Sequence, residues 1–206
     1  MKKVLVVSLA LLITTLFILP NRTVINAAVR SVCVDAGHGG TDIGTSNGGI
    51  TEKDLNLDVA NKLASILTAS GYTVYQTRTT DVALSNRDRY TFCNGARADI
   101  LVSIHHNGST NPEIDYSRAL YMKKVDVELA RALVDSVSSK LGTTNNGISR
   151  FASGVLIKAK MPAAISEGFF LTSSYEYSLL TDGTDKRVQD EAQALYEGIV
   201  NYFVTH

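Results

Sequence analysis

The segment from Ser31 to His105 alternates between short runs of β-forming residues and longer runs with helical periodicity. Strands and helices are predicted alternately over residues 31–35, 51–71, 72–78, 85–96 and 99–105. In the first predicted helix, apolar residues recur every four positions on one face, at Leu55, Val59, Leu63 and Leu67. Strands joined by crossover helices form parallel sheets. The sequence therefore predicts an α/β three-layer sandwich with a largely parallel central sheet and helices on both faces.

The second half of the chain continues this alternation. A polar segment that contains Pro112 predicts a loop over 107–117. Apolar patterning then predicts strands over 119–122, 155–159 and 163–167, and helices over 125–141 and 185–204. No linker or internal repeat is visible, so residues 29–206 are predicted to form one domain.

The first 28 residues have the order of an export signal. Two lysines precede an apolar run over 4–19, and the small residues Ala27 and Ala28 follow. This order is typical of a secretory signal peptide. The run also approaches the length of a membrane span, so a retained anchor through residues 4–19 is the alternative. In both cases we expect the domain to be exported across the cytoplasmic membrane, as a secreted or membrane-anchored protein.

The charge balance argues against polyanionic partners. Lys and Arg together number 20, as do Asp and Glu, and three of the basic residues lie in the leader. The predicted domain therefore has a small acidic excess and no tract rich in Lys and Arg. Nucleic acid is not expected to bind.

Cys33 and Cys93 are the two cysteines of the chain. Export would allow them to form a disulfide. Both fall inside apolar elements, however, where a free cysteine is a small hydrophobic side chain. We predict that they are core residues rather than a bridge.

Three places in the sequence carry residues that can bind zinc. His38 lies in a glycine-rich turn after the first strand, Glu52 starts the first helix, and His105 and His106 end the strand over 99–105. Two imidazoles and one carboxylate leave one position of a tetrahedral zinc ion open, as in catalytic sites. Adjacent strand residues point to opposite faces, so periodicity does not decide between the two neighbouring histidines. Glu52 taken alone is better explained as an acidic residue that interacts favourably with the helix dipole.

Glu167 ends the predicted strand over 163–167 and is flanked by apolar residues. A partly buried carboxylate suits a general acid or base, and a buried salt bridge is the structural alternative. Strands of open α/β sheets bring ligands to their carboxyl ends. The sequence therefore predicts one cleft in which His38, a histidine of the 105–106 pair, Glu52 and Glu167 converge.

A series of short runs supports this hypothesis. They are Asp-Ala-Gly-His-Gly-Gly at 35–40, Glu-Lys-Asp-Leu-Asn-Leu at 52–57, Thr77-Arg78, Asn86-Arg87, Ala-Asp-Ile-Leu-Val-Ser-Ile-His at 98–105, Met-Pro-Ala at 161–163 and Ser-Glu-Gly-Phe at 166–169. In this order they resemble the zinc-dependent N-acetylmuramoyl-L-alanine amidases, over about residues 31–203.

The resemblance implies a ligand set and a reaction. The family's Zn²⁺ ligands fall on His38, Glu52 and His105, and its catalytic glutamate falls on Glu167. The implied reaction is hydrolysis of the amide between N-acetylmuramic acid and L-alanine in peptidoglycan, so the glycan strand and stem peptide are the expected partners. Glu167 would transfer the proton of the attacking water to the leaving amine.

Other residues receive secondary assignments from the resemblance. Asn107 would orient the substrate, and Arg78 would either contact it or pair structurally. Asp35 and Asp54 would orient the histidine ligands. The family usually has a small residue at position 106, so His106 is expected to narrow or tune the cleft.

Two alternative functions stay open on the sequence alone. One is a zinc peptidase that cleaves wall stem peptides, and the other is a non-catalytic wall-binding or regulatory protein. An activating or targeting protein partner is a further expectation, because no wall-binding repeat accompanies the domain. A small amidase of this kind resembles the spore-cortex type, which suggests a role in sporulation.

Overall fold

The computed structural model describes residues 29–206. Its strands are β1 (Ser31–Ala36), β2 (Ser46–Asn47), β3 (Ile50–Thr51), β4 (Thr73–Gln76), β5 (Ile100–Asn107), β6 (Ser117–Tyr121), β7 (Asn145–Arg150) and β8 (Ala163–Phe170). Its helices are α1 (Glu52–Ala69), α2 (Asn86–Ala96), α3 (Val127–Leu141), α4 (Gly154–Lys158), α5 (Ser174–Leu180) and α6 (Lys186–Thr205), with a 3₁₀ turn at Lys124–Asp126.

Six of these strands form one sheet in the order β4-β1-β5-β8-β6-β7. The four strands from β4 to β8 run parallel, β6 runs antiparallel to β8, and β7 runs parallel to β6. Strands β2 and β3 form a separate short hairpin before α1. The predicted α/β fold with a largely parallel central sheet is confirmed.

The two faces of the sheet carry different amounts of helix. We call the face covered by α1, α3 and α6 the broad face, and the face covered by α2 and α4 the thin face. Apolar side chains dominate the centre of the broad face, where Val59, Leu63, Leu133, Leu195 and Ile199 are fully buried. A smaller apolar cluster fills the thin face and includes Leu101, Leu120, Val155, Leu156 and Ile165. The three predicted layers are thus present, with unequal outer layers.

The periodicity of apolar residues locates most of the helices correctly. The four-residue repeat predicted for α1 is buried at Leu55, Val59, Leu63 and Leu67. Ser85, the first residue of the helix predicted over 85–96, caps α2, because its hydroxyl accepts the hydrogen bond of the Asp88 backbone N–H at 3.2 Å.

The region between α3 and β8 differs from the prediction. Residues 155–159, predicted as a strand, lie largely in helix α4, and Ser153 caps that helix. Strand β7 was not predicted, since its sequence begins with Asn145, Asn146 and Gly147, which are residues of low β propensity. A short apolar run such as Val155–Ile157 fits a buried strand and a buried helix equally well.

Cys33 on β1 and Cys93 on α2 form a disulfide. The prediction that they are unpaired core residues is therefore wrong, although both are fully buried as expected. Their Cα atoms lie 5.7 Å apart across the interface between β1 and α2, within the range that a disulfide requires. Their pairing depends on helix α2 packing against β1, which their separate positions in the sequence do not reveal.

Within residues 29–206, every helix is too short or too polar to cross a membrane. The predicted signal peptide or anchor, including the apolar run over 4–19, lies outside the described residues. The division into a leader over 1–28 and a domain over 29–206 stays a prediction.

Candidate metal centre

A sharp turn after β1 carries His38 at the carboxyl edge of the sheet. His38 has a φ of 59°, which is unusual for a residue other than glycine. Its neighbour Gly37 permits a close approach, because a Cβ atom there would lie 2.2 Å from Nε2 of His105. The glycine of this turn therefore allows the rings of His38 and His105 to approach to 4.8 Å between their centroids.

Two buried arginines hold the backbone of this turn. Arg78 donates hydrogen bonds to the carbonyl oxygens of Ala36 and Gly37, both at 2.9 Å. Arg89 donates to the carbonyl oxygen of His38 at 2.7 Å. All hydrogen bonds of Arg78 go to backbone carbonyls, and its exposed fraction is 3%. Of its two predicted roles, these contacts support structural pairing and not contact with the substrate.

The side chains of His38, Glu52 and His105 converge at one point. Glu52 Oε1 lies 3.1 Å from His38 Nε2 and 3.0 Å from His105 Nδ1. One donor atom from each of the three residues lies within 4.8 Å of the others. A tetrahedral zinc ion with bonds of about 2.0 to 2.2 Å separates its ligand atoms by roughly 3.3 to 3.6 Å. The spacing and the donor types therefore fit a zinc ion.

The hydrogen bonds within this triad keep the Glu52 carboxyl in its ionised form, which is the form that binds a cation. Burial opposes ionisation of Glu52, but hydrogen bonds from His105 and His38 outweigh it and lower the pKa of the carboxyl. The hydrogen bond to Glu52 in turn raises the pKa of His38. A metal ion bound here would meet an ionised carboxylate, and below the raised pKa of His38 it would compete with a proton for that histidine.

Backbone donors fix the Glu52 carboxylate in this position. The N–H of Thr45 donates to Oε2 at 2.9 Å, and the N–H of His106 donates to Oε1 at 3.1 Å. Gly44 passes so close that a Cβ atom there would lie 2.4 Å from Oε2. Glu52 thus reaches the sheet edge from the first turn of α1, as the sequence predicts.

Glu52 approaches Nε2 of His38, and the carboxylate beside the other ring nitrogen, Nδ1, is that of Asp42. Its Oδ2 lies 2.9 Å from His38 Nδ1, without the alignment of an ordinary hydrogen bond. The predicted orienting role of Asp35 and Asp54 is wrong, because Asp35 pairs with Arg89 and Asp54 accepts a hydrogen bond within the first turn of α1. Strand alternation directs Asp35 to the thin face, below the cleft.

His106 points away from the metal triad, so the expectation that it narrows the cleft is wrong. Its side chain is fully buried on the broad face. Nδ1 lies 2.8 Å from Asn56 Oδ1, and Nε2 lies 2.8 Å from Glu191 Oε2. Because adjacent strand residues alternate between faces, His105 alone reaches the triad from β5.

Glu167 lies on β8 next to the strand that carries His105, and these two residues are register partners. Its side chain is 14% exposed, which confirms the predicted partial burial. Asn107 Nδ2 and Arg118 Nε each donate to Glu167 Oε2 at 2.5 Å. Glu167 is therefore both adjacent to the triad and engaged in the salt bridge that the sequence left as an alternative.

Two cavities open on either side of the triad, and His38, His105 and Glu167 line both of them. One cavity, of about 370 Å³, extends over the thin face and is bounded by Leu84 and Phe151 among other residues. The second, of about 510 Å³, is lined mainly by small polar residues from the segments around Thr45, Ser109 and Thr172. A ligand that crosses the triad would therefore contact two chemically different surfaces.

The sequence reasoning missed Asp42, Arg89 and Arg118. Asp42 lies four residues after His38, but no periodic pattern distinguishes it from other loop carboxylates. Arg89 follows the Asn86-Arg87 run on α2, and only the packing of α2 on β1 reveals its role. Arg118 precedes Leu120 by two residues on β6, so strand alternation puts both on the same face, and that is the one sequence signal that Arg118 lies on the thin face.

A largely parallel sheet with two histidines and two glutamates at one edge has the arrangement of an α/β metal-dependent hydrolase. A family model described as N-acetylmuramoyl-L-alanine amidase (Amidase_3) matches residues 32–201. The chain belongs to this family.

Individual relatives agree with this assignment. The chain is 31% identical over 178 residues to the N-acetylmuramoyl-L-alanine amidase LytC of Bacillus subtilis, covering 84% of this chain and 36% of LytC. It is 28% identical to the germination-specific N-acetylmuramoyl-L-alanine amidase of the same organism, covering 84% and 80% of the two chains. The crystal structure of an N-acetylmuramoyl-L-alanine amidase from Clostridium difficile 630 superposes with a TM-score of 0.79 at 32% identity, covering 87% and 99%. The chain thus spans about a third of the length of LytC.

Proposed function

We propose that this protein hydrolyses the amide bond between N-acetylmuramic acid and L-alanine in bacterial peptidoglycan. His38, Glu52 and His105 would hold a zinc ion, and Glu167 would transfer the proton. The single observation that carries this proposal is the convergence of the three ligand side chains beside Glu167, in a chain of the amidase family.

A zinc ion held by His38, Glu52 and His105 would supply Lewis acidity, which would polarise a carbonyl oxygen and ease the deprotonation of water near neutral pH. Glu167 takes the proton of the attacking water through its carboxylate and passes it to the nitrogen of the leaving L-alanine. Asn107 holds that carboxylate at the wall of the cleft through its amide. Hydrogen bonds from Arg78 and Arg89 to the backbone of the turn around His38 hold His38 in a fixed position while the substrate binds.

The two cavities suit a substrate that extends in both directions from its scissile bond. The lactyl-linked glycan lies on one side of this amide and the stem peptide lies on the other. The histidine rings are each 24% exposed, so the triad is open to a large substrate rather than sealed like a structural zinc site.

We also propose that the protein works outside the cytoplasm, where peptidoglycan is located. The disulfide between Cys33 and Cys93 supports this location, because such bonds persist in oxidising compartments. Export through the leader over 1–28, whether cleaved or retained as an anchor through residues 4–19, belongs to the same proposal. A role in sporulation and a targeting protein partner stay predictions.

Product analysis of digested wall separates the amidase from the zinc peptidase. Purified peptidoglycan is incubated with the full chain and excess zinc, and the new amino termini are labelled. The amidase releases stem peptides with a free L-alanine amino terminus and leaves the glycan strands intact. New amino termini on any other stem residue would instead indicate a peptidase, and no release at all would indicate a binding protein.

The change Glu167→Ala tests the catalytic assignment. We expect one zinc ion per chain as in the wild type, with hydrolysis reduced by about 10² to 10⁴-fold. Glu128→Ala, which removes an exposed carboxylate on α3, is the matched control and should retain full activity. Substantial hydrolysis by Glu167→Ala would show that another group transfers the proton.

A further inference from the structure

Arg118 and Glu167 form a cross-strand pair at the wall of the cleft. Strands β6 and β8 run antiparallel, and these two residues are direct register partners. Both side chains lie on the thin face, with exposed fractions of 29% for Arg118 and 14% for Glu167. The guanidinium is therefore partly exposed and lies directly beside Glu167, which lines both cavities.

The hydrogen bonds to Glu167 are distributed unequally between its two oxygens. Arg118 Nε from β6 and Asn107 Nδ2 from β5 both donate to Oε2. Within residues 29–206, neither histidine of the triad donates to Glu167, and no hydrogen bond to its Oε1 is present. One oxygen is thus held from both neighbouring strands, while the other retains its lone pairs for a water molecule.

This asymmetry matters because a glutamate side chain has three rotatable bonds. Donors that converge on Oε2 from opposite sides select one orientation of the carboxylate plane. A misplacement of about 1 Å at a reacting group can lower a rate by about 100-fold. The group that fixes this orientation therefore contributes to the rate without touching the substrate.

We propose that Arg118 is a positioning residue for hydrolysis, which holds Oε2 of Glu167 so that Oε1 is the atom that accepts the proton of the attacking water. This inference rests on the proposed amidase function. The guanidinium is suited to the task because its planar fork has a fixed direction, whereas a lysine ammonium is a flexible point charge.

The test compares three variants of the full chain on a soluble muramoyl-peptide: Arg118→Met, Arg118→Lys and Arg150→Met. Arg150 on the neighbouring strand β7 is the matched control, since within residues 29–206 its side chain makes a single hydrogen bond, to the Met122 carbonyl oxygen at 3.3 Å. For Arg118→Met we expect kcat to fall by about 10 to 100-fold with KM changed by less than about threefold. Zinc content should stay at one ion per chain, Arg118→Lys should recover part of kcat, and Arg150→Met should match the wild type.

Several results would overturn the proposal. A higher KM with unchanged kcat would make Arg118 a substrate-binding residue, and unchanged kinetics would make it a structural ion pair. If Arg118→Met does not fold, the lysine variant decides, because a kcat equal to that of the wild type would exclude a directional role. An inactive wild type with bound zinc would refute the amidase function itself, which is a different outcome from an active wild type whose variants are unaffected.

Discussion

The two faces of the central sheet use the same strands for different purposes. On the broad face, three long helices bury a continuous apolar core, and its polar residues pair with one another, as His106 does with Asn56 and Glu191. On the thin face, α2 and the five-residue α4 leave the carboxyl edge open. Neighbouring residues on β5 show the contrast directly, because His105 reaches the cleft and His106 is buried.

This difference shows how a small domain combines stability with an accessible site. The broad face supplies most of the buried apolar surface, so the thin face can leave its functional edge uncovered. The thin face in turn relies on specific bonds: the disulfide between Cys33 and Cys93, and the buried ion pair between Asp35 and Arg89. Substitutions of the exposed ligand residues and substitutions of the buried pairs should therefore have separable effects on function and on stability.

The change His105→Ala should have the largest functional effect. Complete zinc sites with four ligands have binding free energies of roughly 10 to 16 kcal/mol, so one ligand contributes roughly a quarter of this, which corresponds to about 70 to 900-fold in affinity. Hydrolysis should be lost together with the zinc, while the thermal stability of the metal-free protein changes little. Isothermal titration with zinc and unfolding of the metal-free chain measure the two quantities. Wild-type zinc affinity in this variant would exclude His105 as a ligand.

The change Asp35→Asn should destabilise the thin face by about 3 to 5 kcal/mol, because it leaves the buried Arg89 without its counter-charge. Burial opposes ionisation of Asp35, but the Arg89 charge and hydrogen bonds from Ser103 and Thr77 lower its pKa below the ordinary 3.8. A lowered pKa stabilises the fold above the unfolded value of 3.8, and this contribution is lost as the pH falls through the folded value. Urea unfolding between pH 2 and pH 7 tests this. In Asp35→Asn the free energy of unfolding should lose that part of its pH dependence. The same decrease at low pH in the variant and in the wild type would contradict the ion pair.

The change His106→Ala tests the broad face and should cost about 3 kcal/mol of stability, because Glu191 would be buried without its partner. Zinc affinity should stay within about threefold of the wild type, the reverse of the effect of His105→Ala. The double replacement of His106 and Glu191 by leucine serves as the control and should recover most of the stability, since apolar residues can replace a buried pair. Loss of zinc binding in the double variant would show that the two faces are not independent.

Replacement of Cys33 and Cys93 by alanine should lower the free energy of unfolding by about 2 to 4 kcal/mol, because the disulfide restricts the unfolded chain. The folded variant should retain its zinc site, since neither cysteine contacts the triad. Denaturation with and without a reducing agent provides the comparison, and only the wild type should respond to the reductant. A reductant-insensitive wild type would argue against the bridge.

The change Asp42→Asn should have the smallest effect, a loss of about tenfold in zinc affinity. Outer partners of histidine ligands contribute about 10 to 100-fold, and the 68% exposure of this side chain favours the lower limit. Asp81→Asn, which changes an exposed carboxylate that contacts the same loop at Gly40, is the matched control. Equal affinities for both variants would show that Asp42 does not orient His38.

The sequence predicted the parallel half of the sheet and the candidate ligands because both depend on local patterns. Strands ending in Asp35 or His105 and the periodic face of α1 are visible without a structure. Strand β7, helix α4 and the disulfide were missed because their formation depends on tertiary packing that overrides weak local propensities. The choice between His105 and His106 came from the family resemblance, since alternation shows that they differ but not which one faces the cleft.

Contacts between distant segments explain the rest of what could not be predicted. Arg118 meets Glu167 only because β6 inserts beside β8, out of sequence order. Arg89 reaches the turn at His38 through the packing of a helix that begins almost 50 residues later in the chain. Neither arginine differs in sequence context from an exposed basic residue.

X-ray absorption spectroscopy of the full chain loaded with zinc tests the ligand set most directly. We predict one zinc ion per chain, with two imidazole nitrogens and otherwise only oxygen ligands, and with one imidazole fewer in the variant His38→Ala. A shell that contains sulfur, or a shell that His38→Ala leaves unchanged, would contradict the assignment of His38, Glu52 and His105 as the zinc ligands.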